Sequence, residues 1–142
     1  MPWPGSSKRR WRANEVVCAI VVDDSALMRQ AITEALRSVP GCAVVGEGAN
    51  GVEALELARG RLPDLVILDI NMPVMGGLEA LGLLKAEQPE VQVVMVSSIL
   101  DKERREYALR QGAYACVEKG SELWERLPGI VTELSMKCLV KT

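Results

Sequence analysis

Asp23 and Asp24 stand directly after the apolar run Val16 to Val22, and Asp69 stands directly after the run Leu65 to Leu68. Short apolar runs of this kind make buried strands, and carboxylates that end parallel strands emerge at one edge of the sheet, where they face one another. Clustered carboxylates repel. The repulsion is relieved by a divalent cation held through oxygen ligands, by a nearby lysine, or by both. Lys119 follows the strand-like stretch Ala113 to Glu118, and Ser97 ends the run Val91 to Val96. The chain has no histidine, which excludes Ser-His-Asp and Cys-His nucleophile systems, His-ligated zinc and a phosphohistidine on this chain itself. Its chemistry is left to carboxylate, hydroxyl, lysine and a hard cation.

The elements that position these groups alternate between strand-like and helix-like. Ser25 is placed to cap a helix to Val39, with Leu27, Met28, Ala31, Ile32, Ala35 and Leu36 at helical spacing and Pro40-Gly41 to stop it. A short strand, Cys42 to Gly46, precedes a helix over Val52 to Ala58. Asn71 to Gly77 is a loop by composition, Leu78 to Glu87 a helix closed by Pro89, and Asp101 to Gln111 a strongly charged helix. A last helix is expected from 121 to about 137, broken or kinked at Pro128 unless it starts there. Five such βα units imply an α/β fold, a doubly wound parallel sheet with helices on both faces. Ligands of such sheets bind outside the carboxyl ends of the strands, where Asp23, Asp24, Asp69, Ser97 and Lys119 fall.

A chain of 142 residues with 49% hydrophobic content suffices for one core. No apolar run reaches the ~18 residues of a membrane span, and the N-terminus lacks the pattern of a signal peptide, so a cytoplasmic location is expected. Cys18, Cys42 and Cys116 fall within expected strands and read, with Cys138, as small hydrophobes in a reducing compartment. Residues 1–15 carry four basic and one acidic side chain, a net +3, which leaves −5 for the rest of a chain totalling −2. Lys8 to Arg12, preceded by Pro and Gly, reads as a basic, disordered leader, and the acidic remainder argues against a nucleic-acid partner. The expected divisions are leader 1–15, a domain at 16–137 and a tail at 138–142.

Val21-Val22-Asp23-Asp24-Ser25, the stretch Leu68 to Leu78 with its Asp69-Ile70-Asn71-Met72-Pro73 core, Met95 to Ser98 and the late Lys119 resemble the receiver domain of bacterial response regulators. Within that family the run Asp24 to Arg29 is most similar to chemotaxis-type receivers, including those of chemotaxis methylesterases. The resemblance implies a five-stranded flavodoxin-like (βα)5 sheet of order 2-1-3-4-5. It implies that Asp69 accepts a phosphoryl group from the phosphohistidine of a sensor histidine kinase or phosphotransfer protein. Asp23, Asp24, Asp69 and the backbone carbonyl of Asn71 would then hold Mg²⁺, Lys119 would pair first with Asp69 and later with the phosphoryl oxygens, and Ser97 would turn its hydroxyl toward them. Asn71 and Ile99 would flank the path of the hydrolytic water. The chain would be a signalling domain, not an enzyme acting on a separate substrate, and would act by docking to proteins.

The sequence departs from the family at a few positions. Cys116 stands where receivers commonly carry an aromatic switch residue, and Gly120 where a proline usually follows the lysine. Gly76 replaces an acidic residue common before Gly77. By period-two spacing Tyr114 is expected on the same strand face as Cys116. Two alternatives stay open: the receiver portion of a longer regulator such as a chemotaxis methylesterase, and an unphosphorylated pseudoreceiver. A flavin binder is disfavoured because Asp23 and Asp24 would repel its phosphate. An aspartyl phosphatase is disfavoured because Asp23 and Asp24 are adjacent where that family alternates its first-strand aspartates.

Overall fold

A computed structural model describes residues 16–141, with side chains through residue 136. The leader at 1–15 and the side chain of Cys138 lie outside the described residues. Strands β1 (Val17–Val22), β2 (Cys42–Gly48), β3 (Leu65–Asp69), β4 (Gln92–Ser97) and β5 (Ala115–Glu118) alternate with helices α1 (Ala26–Arg37), α2 (Gly51–Arg61), α3 (Gly77–Glu87), α4 (Lys102–Arg110) and α5 (Ser121–Lys141). All strands pair in parallel in the order β2-β1-β3-β4-β5. The chain winds outward from β1 to β2, then crosses to β3, so the order reverses between β1 and β3. That reversal opens a crevice at the carboxyl edge.

Two apolar layers hold the sheet. On one face Val17, Ala19, Val21, Leu65, Ile67, Val94 and Val96 pack beneath Ile32 and Leu36 of α1 and Leu123, Leu127 and Val131 of α5. On the other, Ile20, Val22, Val66, Leu68, Val93 and Met95 pack beneath Ala54 of α2, Ala80, Leu81 and Leu84 of α3 and Ala108 of α4. Alternate residues of one strand thus serve opposite layers, which is why the central runs are apolar throughout. Helices α1 and α4 start on side-chain caps: Ser25 Oγ accepts Met28 N–H at 3.2 Å, and Asp101 Oδ1 accepts Arg104 N–H at 2.8 Å. At α2 the cap is reciprocal, with Asn50 Oδ1 on Glu53 N–H and Glu53 Oε1 on Ala49 N–H.

Two expectations need correction. Helix α5 runs unbroken through Pro128 and past residue 137. Pro128 is exposed, and buried Leu123 and Leu127 before it and Ile130, Val131 and Leu134 after it bind both halves to the same layer, offsetting the lost backbone hydrogen bond. Tyr114 precedes β5, which begins at Ala115, so the two-residue period does not extend to it. It packs against the α1–α5 layer, whereas Cys116 belongs to the opposite one. Burial raises the Cys42 thiol to about 11 and pushes Cys116 up as well, so both behave as hydrophobes, as expected.

Candidate functional site

Three strand ends deliver the acidic cluster and its cation. Buried Asp23 follows β1, exposed Asp24 comes next, and buried Asp69 closes β3. Each contributes a carboxylate oxygen to a group whose members all lie within 4.8 Å of one another. Lys119, directly after β5, places Nζ 2.9 Å from Asp23 Oδ2 and 3.5 Å from Asp69 Oδ2. The sheet ladder continues through these ends: Asp23 N–H donates to Gly48 O at 3.0 Å, Ile70 N–H to Val96 O at 2.9 Å and Lys119 N–H to Ser97 O at 2.8 Å. Register therefore fixes the approach of the side chains. Gly120, at φ +116°, turns the chain away after Lys119 without a proline.

Local bonds orient each carboxylate. Asp23 Oδ1 accepts Ser25 N–H at 2.8 Å, and Asp69 Oδ1 accepts Asn71 N–H at 3.3 Å. The loop after Asp69 folds back so tightly that Gly77 N–H donates to Ile70 O at 2.8 Å. A Cβ on Gly77 would lie 2.0 Å from Asp69 O, so only glycine allows this approach. The Ser97 hydroxyl donates to Ile99 O at 2.9 Å, within its own loop.

Electrostatics follow from this crowding. Burial, then the Asp23 carboxylate, push Asp69 up to about 6 against the opposing pull of Lys119. For Lys119 burial disfavours the charge, but its close contact with the Asp23 carboxylate and the charges of Asp69 and Asp23 outweigh it and hold the ammonium above its usual range. Asp23 Oδ2 is buried and accepts no well-formed hydrogen bond among the described residues, leaving the ion pair with Lys119 as its compensation. An under-satisfied buried oxygen beside two further carboxylates is the donor set of a small hard cation, and Mg²⁺ fits it.

Sequence reasoning thus located residues that the fold brings together: Asp23, Asp24 and Asp69 are in mutual reach, Lys119 meets Asp23 and Asp69, Asn71 touches Asp69 through its amide, and Ser97 is one strand away. It missed Arg29. The Arg29 guanidinium donates to Asp23 O at 2.7 Å and pairs with Glu47 at 3.4 Å, tying α1 and β2 to the acidic edge. A signal existed: a cation in the first turns of a helix opposes the macrodipole unless an anion or carbonyl holds it.

The fold and this acidic edge define a doubly wound α/β domain built around a carboxylate cluster. Residues 19–127 match the response regulator receiver domain, and the chain belongs to that family. It is 44% identical over 120 residues to a protein-glutamate methylesterase/protein-glutamine glutaminase of Archaeoglobus fulgidus, covering 83% of this chain and 34% of that protein. It is 36% identical over 115 residues to the response regulator GacA of Pseudomonas aeruginosa, covering 81% and 54%. The chain spans about half of the latter relative and about a third of the former. Among solved structures, the response regulator domain of Thermotoga maritima CheB aligns with a TM-score of 0.74 at 34% identity, covering 87% of this chain and 96% of that one. Among the described residues no helix is long and apolar enough to cross a membrane.

Proposed function

We propose that this chain is the phosphoacceptor of a two-component relay, with Asp69 as the nucleophile. The observation that carries the reading is the placement of Asp69: a buried carboxylate at a strand end, 3.5 Å from an ammonium and within reach of two further carboxylates. A carboxylate oxygen of Asp69 attacks the phosphorus of a phosphohistidine on a sensor histidine kinase or phosphotransfer protein. The P–N bond breaks, its electron pair goes to the imidazole nitrogen, and an acyl phosphate is left on Asp69. Asp23, Asp24, Asp69 and the Asn71 carbonyl would hold Mg²⁺, which when bound neutralises charge on the transferring group.

The protein's own groups do the rest. Lys119 moves from the carboxylates to the phosphoryl oxygens, and Arg29 keeps Asp23 in place through its backbone carbonyl. Ser97 exchanges its bond to Ile99 O for one to a phosphoryl oxygen, drawing in the loop between β4 and α4. The added charge of about −1.5 to −2 is the signal, read by a protein that docks on the altered surface. The same chemistry serves a free-standing cytoplasmic regulator or the receiver part of a longer one; the ester chemistry named for the Archaeoglobus relative is that protein's own. Incubation with acetyl phosphate tests the reading. A Mg²⁺-dependent phosphoryl adduct in the intact mass supports it, and folded protein that stays unmodified with fresh donor and metal overturns it in favour of a pseudoreceiver.

A further inference from the structure

A path of hydrogen bonds leads from the acidic edge to the surface shared by α4, β5 and α5. Ser97 Oγ holds Ile99 O at 2.9 Å, and the next residue, Leu100, donates its N–H to Glu118 Oε2 at 3.4 Å. Glu118 N–H donates to Glu122 Oε1 at 2.8 Å. Glu122, in the first turn of α5, also meets both terminal nitrogens of Arg105 at 3.4 Å and Arg126 at 3.2 Å. Arg105, projecting from α4, donates in addition to the Cys116 carbonyl, and the Cys116 thiol lies 3.9 Å from the Arg105 carbonyl. One side chain therefore ties α4 to both β5 and α5.

We propose that Arg105 is a latch that holds α4 against β5 and α5 in the unmodified protein and releases when Asp69 is phosphorylated, exposing the surface a partner reads. This rests on the phosphoacceptor reading of Asp69. The small, buried Cys116 brings the strand close to the α4 backbone but offers no side chain able to swing between inside and outside. Arg105, about a third exposed, can do so.

The connections are built to yield. When the Ser97 hydroxyl leaves Ile99 O, the loop before α4 keeps its long bond from Leu100 to Glu118, and exposed Ile99 leaves its carbonyl to water. Asp101 caps α4 on Arg104 N–H, so displacement of this loop moves the start of the helix and, one turn on, Arg105. Release leaves no anion stranded: Glu122 retains Glu118 N–H and Arg126. A partly exposed ion pair contributes little net stability, so a modest pull suffices to open it.

Hydrogen–deuterium exchange of the full chain, with and without acetyl phosphate and Mg²⁺, tests the latch, with intact mass recorded on the same samples. In wild type, adduct formation is expected to raise exchange across residues 99–110 by about threefold or more, as for a locally opened segment. Unmodified Arg105→Ala is expected to show that faster exchange already and to gain little on phosphorylation. If Arg105→Ala does not fold, Glu122→Gln, which keeps an acceptor for Glu118 N–H while losing the charge, serves the same comparison. An adduct with unchanged exchange at 99–110, or a full phosphorylation-dependent rise in the variants, overturns the latch alone. Absence of any adduct overturns the phosphoacceptor reading and, with it, the trigger of the latch.

Discussion

The ammonium of Lys119 lies 2.9 Å from Asp23 and 3.5 Å from Asp69, so the cation rests closer to the first-strand carboxylate than to the third-strand one. That carboxylate oxygen is otherwise poorly satisfied and belongs to the cluster that suits a metal. On the proposed reading, lysine and Mg²⁺ would therefore compete for Asp23. Lys119→Gln is expected to raise Mg²⁺ affinity by roughly tenfold, on the order of 1.4 kcal/mol, through loss of one nearby positive charge, while slowing phosphorylation. Titration calorimetry measures the first effect; unchanged or weaker Mg²⁺ binding would show that the ammonium does not obstruct the metal.

The elevated Asp69 carboxyl makes a prediction about stability without metal. Its pKa of about 6 in the folded chain exceeds the ordinary 3.8, so the native state binds more protons than the unfolded state between those values. Stability consequently falls as the pH rises from about 4 to 6 and stays reduced above it. In EDTA at pH 7.5, Asp69→Asn should be more stable than wild type by about 1–3 kcal/mol, with the gap closing toward pH 4. Urea melts at several pH values measure it. A mutant less stable than wild type at pH 7.5 would contradict the assigned burial and repulsion.

Two glycines on α3 separate close approach from helix propensity. A Cβ at Gly77 would sit 2.0 Å from Asp69 O, whereas one at Gly82 meets nothing within 4 Å. Gly77→Ala should destabilise the protein by about 2–4 kcal/mol and depress Mg²⁺ binding by shifting the Asp69 loop. Gly82→Ala should stabilise it by about 0.5–1 kcal/mol and leave the site alone. Denaturant unfolding of both variants decides this, and a neutral Gly77→Ala would mean that the loop relaxes freely.

Much of this architecture was legible because strand ends are local. The apolar runs before Asp23 and Asp69, and the Ser25 and Gly41 punctuation around α1, are read within a few residues. What escaped reading was long-range or marginal. Arg29 reaches Asp23 only across a helical turn, and Arg105 meets Glu122 only once α4 and α5 flank β5. The face of Tyr114 depends on where β5 begins, and the continuity of α5 at Pro128 depends on packing that outweighs a local helix breaker.

The central claim is that Asp69 itself carries the phosphoryl group, and chemical trapping tests it most directly. Borohydride reduces an acyl phosphate to the corresponding alcohol, turning an aspartyl phosphate into homoserine. After treatment with acetyl phosphate and Mg²⁺, peptide mass spectrometry should place homoserine at position 69 and nowhere else, with no adduct in Asp69→Asn. Homoserine at Asp23 or Asp24 instead, or a persistent adduct in the variant under the same conditions, would contradict the account.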